Sequence, residues 1–175
     1  MQEQKPSKKL DSKHVPTFKQ IKSDGNIKKL IKSAFDTDLA VSGDWGYTKE
    51  LATLIEDIND IQHQQLEHML ASMRTYLEMN MTQKEEDRYG SININEVARE
   101  QYNENSSTYD KVTYEITAIK EDTYATFINE YKEGYGNASF DLNSHFQRRK
   151  EATLTRTETF WFRSSTFNKN ASKLV

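Results

Sequence analysis

Thr48–Asn80 reads TKELATLIEDINDIQHQQLEHMLASMRTYLEMN, and the way this stretch folds decides the architecture. Leu51, Leu54, Ile55, Ile58, Ile61, Leu66, Met69, Leu70, Met73, Tyr76 and Leu77 recur every three or four residues. That spacing puts them on one side of a 3.6-residue helix. Such a stripe must be covered by the rest of the chain or by a partner. The reading favours helix over the whole stretch, either continuous or broken at Asp57–Asp60. Asp and Asn there compete for backbone groups, and about 30 residues exceeds the usual globular helix. The alternative places Leu51–Glu56 in a strand and starts the helix near Ile61. In both versions Ile61–Met79 is helical.

Outward from this stretch, the flanks divide by period. Ile27, Leu30, Ile31 and Phe35 predict a short helix from Asn26 to Phe35. Residues 36–47 read as a loop around Trp45, punctuated by Gly43 and Gly46. Thr82 and Glu85 have the spacing of a capping box, which predicts a further helical turn, and Arg88–Gly90 reads as a turn. Asn95 is placed to cap a short helix running through Val97 and Tyr102, with a polar loop over 103–108. Val112, Tyr114, Ile116 and Ala118 then alternate with polar residues, the period of a half-buried strand. Asp122 begins a helix that Gly134 or Gly136 ends. Another helix follows from Asp141 to Ala152, and residues 153–163 form a last strand. The fold class is α+β, with a small sheet packed on helices.

The chain has 175 residues, 35% of them hydrophobic and 29% charged, enough for one domain with its own core. The expected organisation is an irregular, flexible basic arm over 1–25, one domain over 26–165 and a polar tail over 166–175. With no cysteine, disulfides, thiolate metal sites and Cys nucleophiles are excluded. No apolar run is long enough to span a membrane, and the first 25 residues hold no apolar signal region. The expected location is cytoplasmic.

The net charge of −3 conceals an asymmetry. Residues 1–32 hold nine Lys against Glu3, Asp11 and Asp24, a net of +6, while the remainder holds 15 Lys and Arg against 24 Asp and Glu, a net of −9. Lys5, Lys8, Lys9, Lys13, Lys19 and Lys22 are therefore candidate phosphate contacts, should the arm bind nucleic acid.

Catalytic and metal-binding signatures are sparse. Glu56, Asp60, His63 and Glu67 fall at i, i+4, i+7 and i+11, but on the side opposite the apolar stripe. They are expected to face water, and no metal site is assigned. Glu85–Asp87 and Glu121–Asp122 read as solvated or capping carboxylates. No Walker, GxGxxG or GxSxG pattern occurs, and no cofactor is expected. His145 precedes Arg148, Arg149 and Lys150, cations that complement the end of a helix. With Arg156, Trp161 and Arg163 on the last strand they offer forks for an acidic partner. Trp45 and Tyr47 complete the candidate partner-contacting set.

The segment FDTDLAVSGDWGYTKE, Phe35–Glu50, resembles a loop of small uncharacterised bacterial proteins in which an SG-x-WGY-like turn precedes an acidic residue. Asp44 stands where that pattern carries Gly. The resemblance implies a bacterial or mobile-element origin and no mechanism. The function expected from the whole reading is a non-enzymatic interaction module, inhibitor-, antitoxin- or immunity-like, that binds another protein or itself. Nucleic-acid binding through the Lys-rich arm is the alternative.

Overall fold

A computed structural model describes residues 15–56 and 62–165. Helix α1, Ile27–Phe35, is capped by the Asn26 carboxamide, which accepts from the Lys29 N–H at 3.3 Å. It ends on Asp36 in the left-handed region. Strands β1, Val41–Gly43, and β2, Thr53–Ile55, pair antiparallel around the Trp45 loop. Helix α2, His63–Tyr76, runs without a break into a π-helical turn, Leu77–Met81. A 3-10 turn, Glu85–Asp87, leads into β3, Tyr89–Glu104, and β4, Ser107–Lys120. Helices α3, Glu121–Gly134, and α4, Leu142–Ala152, form a hairpin before β5, Leu154–Ser165.

The sheet order is β1-β2-β5-β4-β3, with β2 and β5 parallel and the other neighbours antiparallel. The α+β class is the one expected. One sheet face carries α2 and α1. Its core joins Ile27, Ile31, Trp45, Leu66, Leu70, Leu77, Val112, Tyr114, Phe160 and Phe162. A smaller cluster gathers Met79, Tyr89, Ile116 and Ala118 under Phe18. No helix among the described residues is long and apolar enough to cross a membrane.

Four local expectations are corrected. Thr53–Ile55 is a strand, not the first turns of a long helix: Thr53 and Ile55 are buried between β1 and β5. The helical spacing of Leu51, Leu54 and Ile55 has no helix behind it. The Asp57–Asp60 break and Ile61 lie outside the described residues. Asn95–Tyr102 is strand as well, held by pairing from Ala98↔Thr113 to Glu104↔Ser107. Its Glu, Ala, Arg and Gln are good helix formers, but the β4 ladder overrides that preference. Thr82 does not start a helix; its hydroxyl donates to the Leu77 carbonyl at 2.8 Å and closes the π turn. Arg88–Gly90 is the entry to β3 rather than a turn.

The hairpin turn, Asn105 and Ser106, has positive φ at both residues, the geometry that matches strand twist in a two-residue loop. Of the expected flexible arm, residues 15–25 are irregular but packed. Phe18 stacks edge-on against Tyr89 at 5.6 Å, and the Ile21 N–H donates to the Tyr47 hydroxyl at 2.8 Å. Residues 1–14 and 166–175, with Lys5, Lys8, Lys9 and Lys13, lie outside the described residues.

Candidate functional site

Helix α2 buries two stripes rather than one. Leu66, Leu70, Met73 and Leu77 form the apolar stripe, and Glu67, Ala71, Arg74 and Glu78 form a second that is equally enclosed. Their spacing of four, three and four keeps them on one face. Glu67 is 0% exposed, which overturns its assignment to a solvated side of the helix. The partners that make this burial tolerable come from distant strands.

At the C-terminal end of α2, Arg74 lies between two rings, 4.0 Å from the Tyr47 centroid and 3.5 Å from that of Phe160. It donates to the Trp45 and Thr159 carbonyls. The π turn carries Glu78 to Arg156, whose Nη2 donates to Oε1 at 2.7 Å, and to Tyr47, whose hydroxyl donates to Oε2 at 2.6 Å. Burial, with Glu78 beside it, pushes the Tyr47 phenol well above its ordinary value. Tyr47 and Arg156 thus serve the interior. Trp45, 2% exposed, is also interior. Neither Trp45 nor Arg156 can contact a partner in this fold, which corrects their place in the expected contact set.

At the N-terminal end, four charged side chains converge. His63 Nε2 lies 3.1 Å from Asp110 Oδ2 and 3.5 Å from Glu67 Oε2. Arg99 Nη1 donates to Glu67 Oε1 at 2.8 Å, and Gln101 Nε2 donates to Asp110 Oδ1 at 3.0 Å. Hydrogen bonding to Asp110, with the Glu67 carboxylate beside it, raises His63 to about 9. Burial pushes Glu67 up from its ordinary value. Burial also works against ionised Asp110, but hydrogen bonds with His63 and Gln101 hold its carboxyl well below the usual range. Nothing in the sequence places Asp110, Arg99 and Gln101 here. The β3–β4 register does so, pairing Arg99 with Val112 and Gln101 with Asp110.

The opposite sheet face is open. From Tyr109 to Thr117, its residues on β4 (Tyr109, Lys111, Thr113, Glu115, Thr117) are half-buried or exposed. So are those on β5 (Thr155, Thr157, Thr159, Trp161, Arg163). Near the hairpin the face becomes aromatic. Trp161 stacks on Tyr102 at 5.9 Å and 27°. Lys111 lies 5.5 Å from the Trp161 centroid, while Lys49 and Arg163 reach the Tyr109 ring at 5.0 and 5.9 Å. Lys49 also pairs with Glu104, and the Tyr102 hydroxyl donates to Glu100.

The Trp45 loop supports this platform from behind. Trp161 N–H donates to the Gly46 carbonyl at 2.8 Å. Gly46 has φ +78, and a Cβ there would lie 2.5 Å from the Trp161 oxygen. Only glycine fits so close an approach. The SG-x-WGY segment is therefore a structural closure in this chain.

The expected basic patch on α4 divides. Arg148 forks onto Glu130 of α3, Arg149 lies 5.7 Å from the Tyr124 ring centroid, and Lys150 is exposed. These residues stand on the helical hairpin, while Trp161 and Arg163 stand on the open sheet face. Lys19 and Lys22 are exposed, on the segment that packs Phe18 and Ile21 onto the helix-bearing side. No protein-family model, curated protein or solved structure matches the chain.

Proposed function

We propose that this chain is a non-enzymatic interaction module, of bacterial or mobile-element origin, that binds another protein through the open sheet face around Tyr102, Trp161 and Arg163. The observation that carries the reading is the aromatic platform: Trp161 stacked on Tyr102, with Lys111 over Trp161 and Lys49 and Arg163 over Tyr109, on a face whose β4 residues from Tyr109 to Thr117 are all half-buried or exposed. Trp, Tyr and Arg are the residue types that dominate binding hot spots. An inhibitor-, antitoxin- or immunity-like role suits an aromatic and charged surface of this kind.

The alternative is nucleic-acid binding, with bases stacking on the same rings. Glu100, Glu104 and Glu115 interleave with the cations of the face, and they would repel a phosphate backbone. Lys19 and Lys22 stand on the other layer. Both facts favour a protein partner. An enzymatic reading would use His63 against Asp110, but Arg99 and Gln101 already hold the carboxylates. Surface cavities beside α1 and along α3 are lined by other residues.

The test is affinity capture from the native cells, followed by calorimetry with the purified partner. The double variant Trp161→Ser, Arg163→Glu should retain its fold by circular dichroism. It should lose about 2 kcal/mol or more of binding, roughly 30-fold in affinity. A partner bound equally well by the double variant would refute this surface. Capture of nucleic acid alone, with steep salt dependence, would favour the alternative.

A further inference from the structure

We propose that His63, Glu67 and Asp110 form a divalent-cation site, suited to Zn2+, that clamps the start of α2 to β4. The site is separate from the open sheet face, on the opposite side of the sheet, and does not depend on the partner reading.

Each carboxylate has one oxygen held by a donor: Glu67 Oε1 by Arg99 at 2.8 Å, and Asp110 Oδ1 by Gln101 at 3.0 Å. The other two oxygens turn toward His63 Nε2, at 3.5 and 3.1 Å. All three candidate ligand atoms lie within 4.8 Å of one another. A tetrahedral Zn2+ with bonds of about 2.1 Å places its ligands about 3.4 Å apart, so the two separations to His63 match the edges of its coordination shell. Arg99 and Gln101 occupy the outer positions, where donors orient ligating carboxylates.

A second observation points to a ligand. The Glu67 side chain is 0% exposed, yet its Oε2, aimed into the cluster, has no hydrogen-bond donor. A buried carboxylate oxygen left so is costly, and a cation between Oε2, Oδ2 and Nε2 satisfies it. On binding, the metal replaces the proton between His63 and Asp110, which leaves to solvent; no other bond changes. One imidazole and two carboxylates are a donor set that Zn2+ accepts, with a fourth position left for water. Arg99 offsets part of the carboxylate charge without occupying Oε2, the closest of its contacts to the trio's second oxygens being 3.7 Å from Asp110 Oδ2.

The experiment uses the full chain, stripped with chelator and titrated with Zn2+ by calorimetry, with Co2+ as a spectroscopic probe. One equivalent of Zn2+ should bind with micromolar or tighter affinity and raise the thermal midpoint. Co2+ should give the intense visible bands of a four-coordinate site. His63→Ala should weaken Zn2+ binding by roughly 100-fold or more, while His68→Ala, on an exposed face of the same helix, should bind as the unaltered chain does. Absence of saturable binding, or equal binding by His63→Ala, would overturn the site and leave a buried ion-pair cluster. Should His63→Ala fail to fold, the Co2+ spectrum of the unaltered chain still decides, since six-coordinate weak bands count against the proposal.

Discussion

Glu78 is the carboxylate around which two buried arginines and a tyrosine gather. Arg156 and Tyr47 hydrogen-bond to it directly, and Arg74 Nε lies 3.7 Å from Oε2. Removing one partner of a buried charge set leaves the others uncompensated, at a cost of about 3–5 kcal/mol. Glu78→Ala should therefore lower unfolding free energy by that amount in urea titrations, and a loss below about 1 kcal/mol would show that Glu158 compensates. Gly46 is the other sensitive position. Its φ alone costs a non-glycine residue about 1–3 kcal/mol, and the overlap with the Trp161 carbonyl adds to this. Gly46→Ala should destabilise more than Gly136→Ala, which shares a positive φ but meets nothing within 4 Å. Equal midpoints for the two would remove the argument for close approach. The sequence offers two glycines beside Trp45, but not that the loop closes over β5.

Among the elements, the α3–α4 hairpin is the most self-contained. His145 is buried among Phe127, Tyr131 and Phe140, and its Nδ1 lies 3.2 Å from Glu130 Oε1. The Arg148 guanidinium holds Glu130 down to about 2, from an ordinary value of 4.5, with burial opposing and His145 assisting. A depressed carboxyl stabilises the folded state above its unfolded value. The contribution is therefore complete above about pH 4.5 and is lost as pH falls toward 2. Arg148→Ala should flatten that part of the pH–stability profile, read from thermal midpoints between pH 5 and pH 2, because the guanidinium is the largest influence holding Glu130 ionised. An unchanged profile would assign acid sensitivity to other carboxylates. This helical pair was legible in the sequence: the helix expected from Asp141 to Ala152 is α4, with Asp141 as its cap accepting from the Ser144 N–H at 3.0 Å. β3 was not legible, since Glu-Val-Ala-Arg-Glu-Gln carries helix-forming residues and its strand state comes from β4.

At the scale of the molecule, α1 and α2 cover one sheet face and β3 forms an outer edge. Backbone groups on the outer side of 96–104 have no strand beyond them among the described residues. Native-state hydrogen exchange should find β4, flanked by β5 and β3, the slowest strand, and the outward amides of β3 fast. Slow exchange at those outward amides would mean that the edge is covered, by a second copy or by another part of the chain. By itself the sequence determined the α+β class, α1, the helical state of residues 63–79, the α3–α4 pair and the last strand. In each, local periodicity and capping agree with the final environment. Tertiary structure alone decided that Thr53–Ile55 and Asn95–Tyr102 are strands, that Trp45 and Arg156 are interior, and that Glu67, Arg74 and Glu78 are buried. Periodicity reports which side of an element is apolar. It is silent on a charged side chain whose cost of burial is offset by a partner 30 or more residues away, and the α2 polar stripe is held by three such long-range pairings.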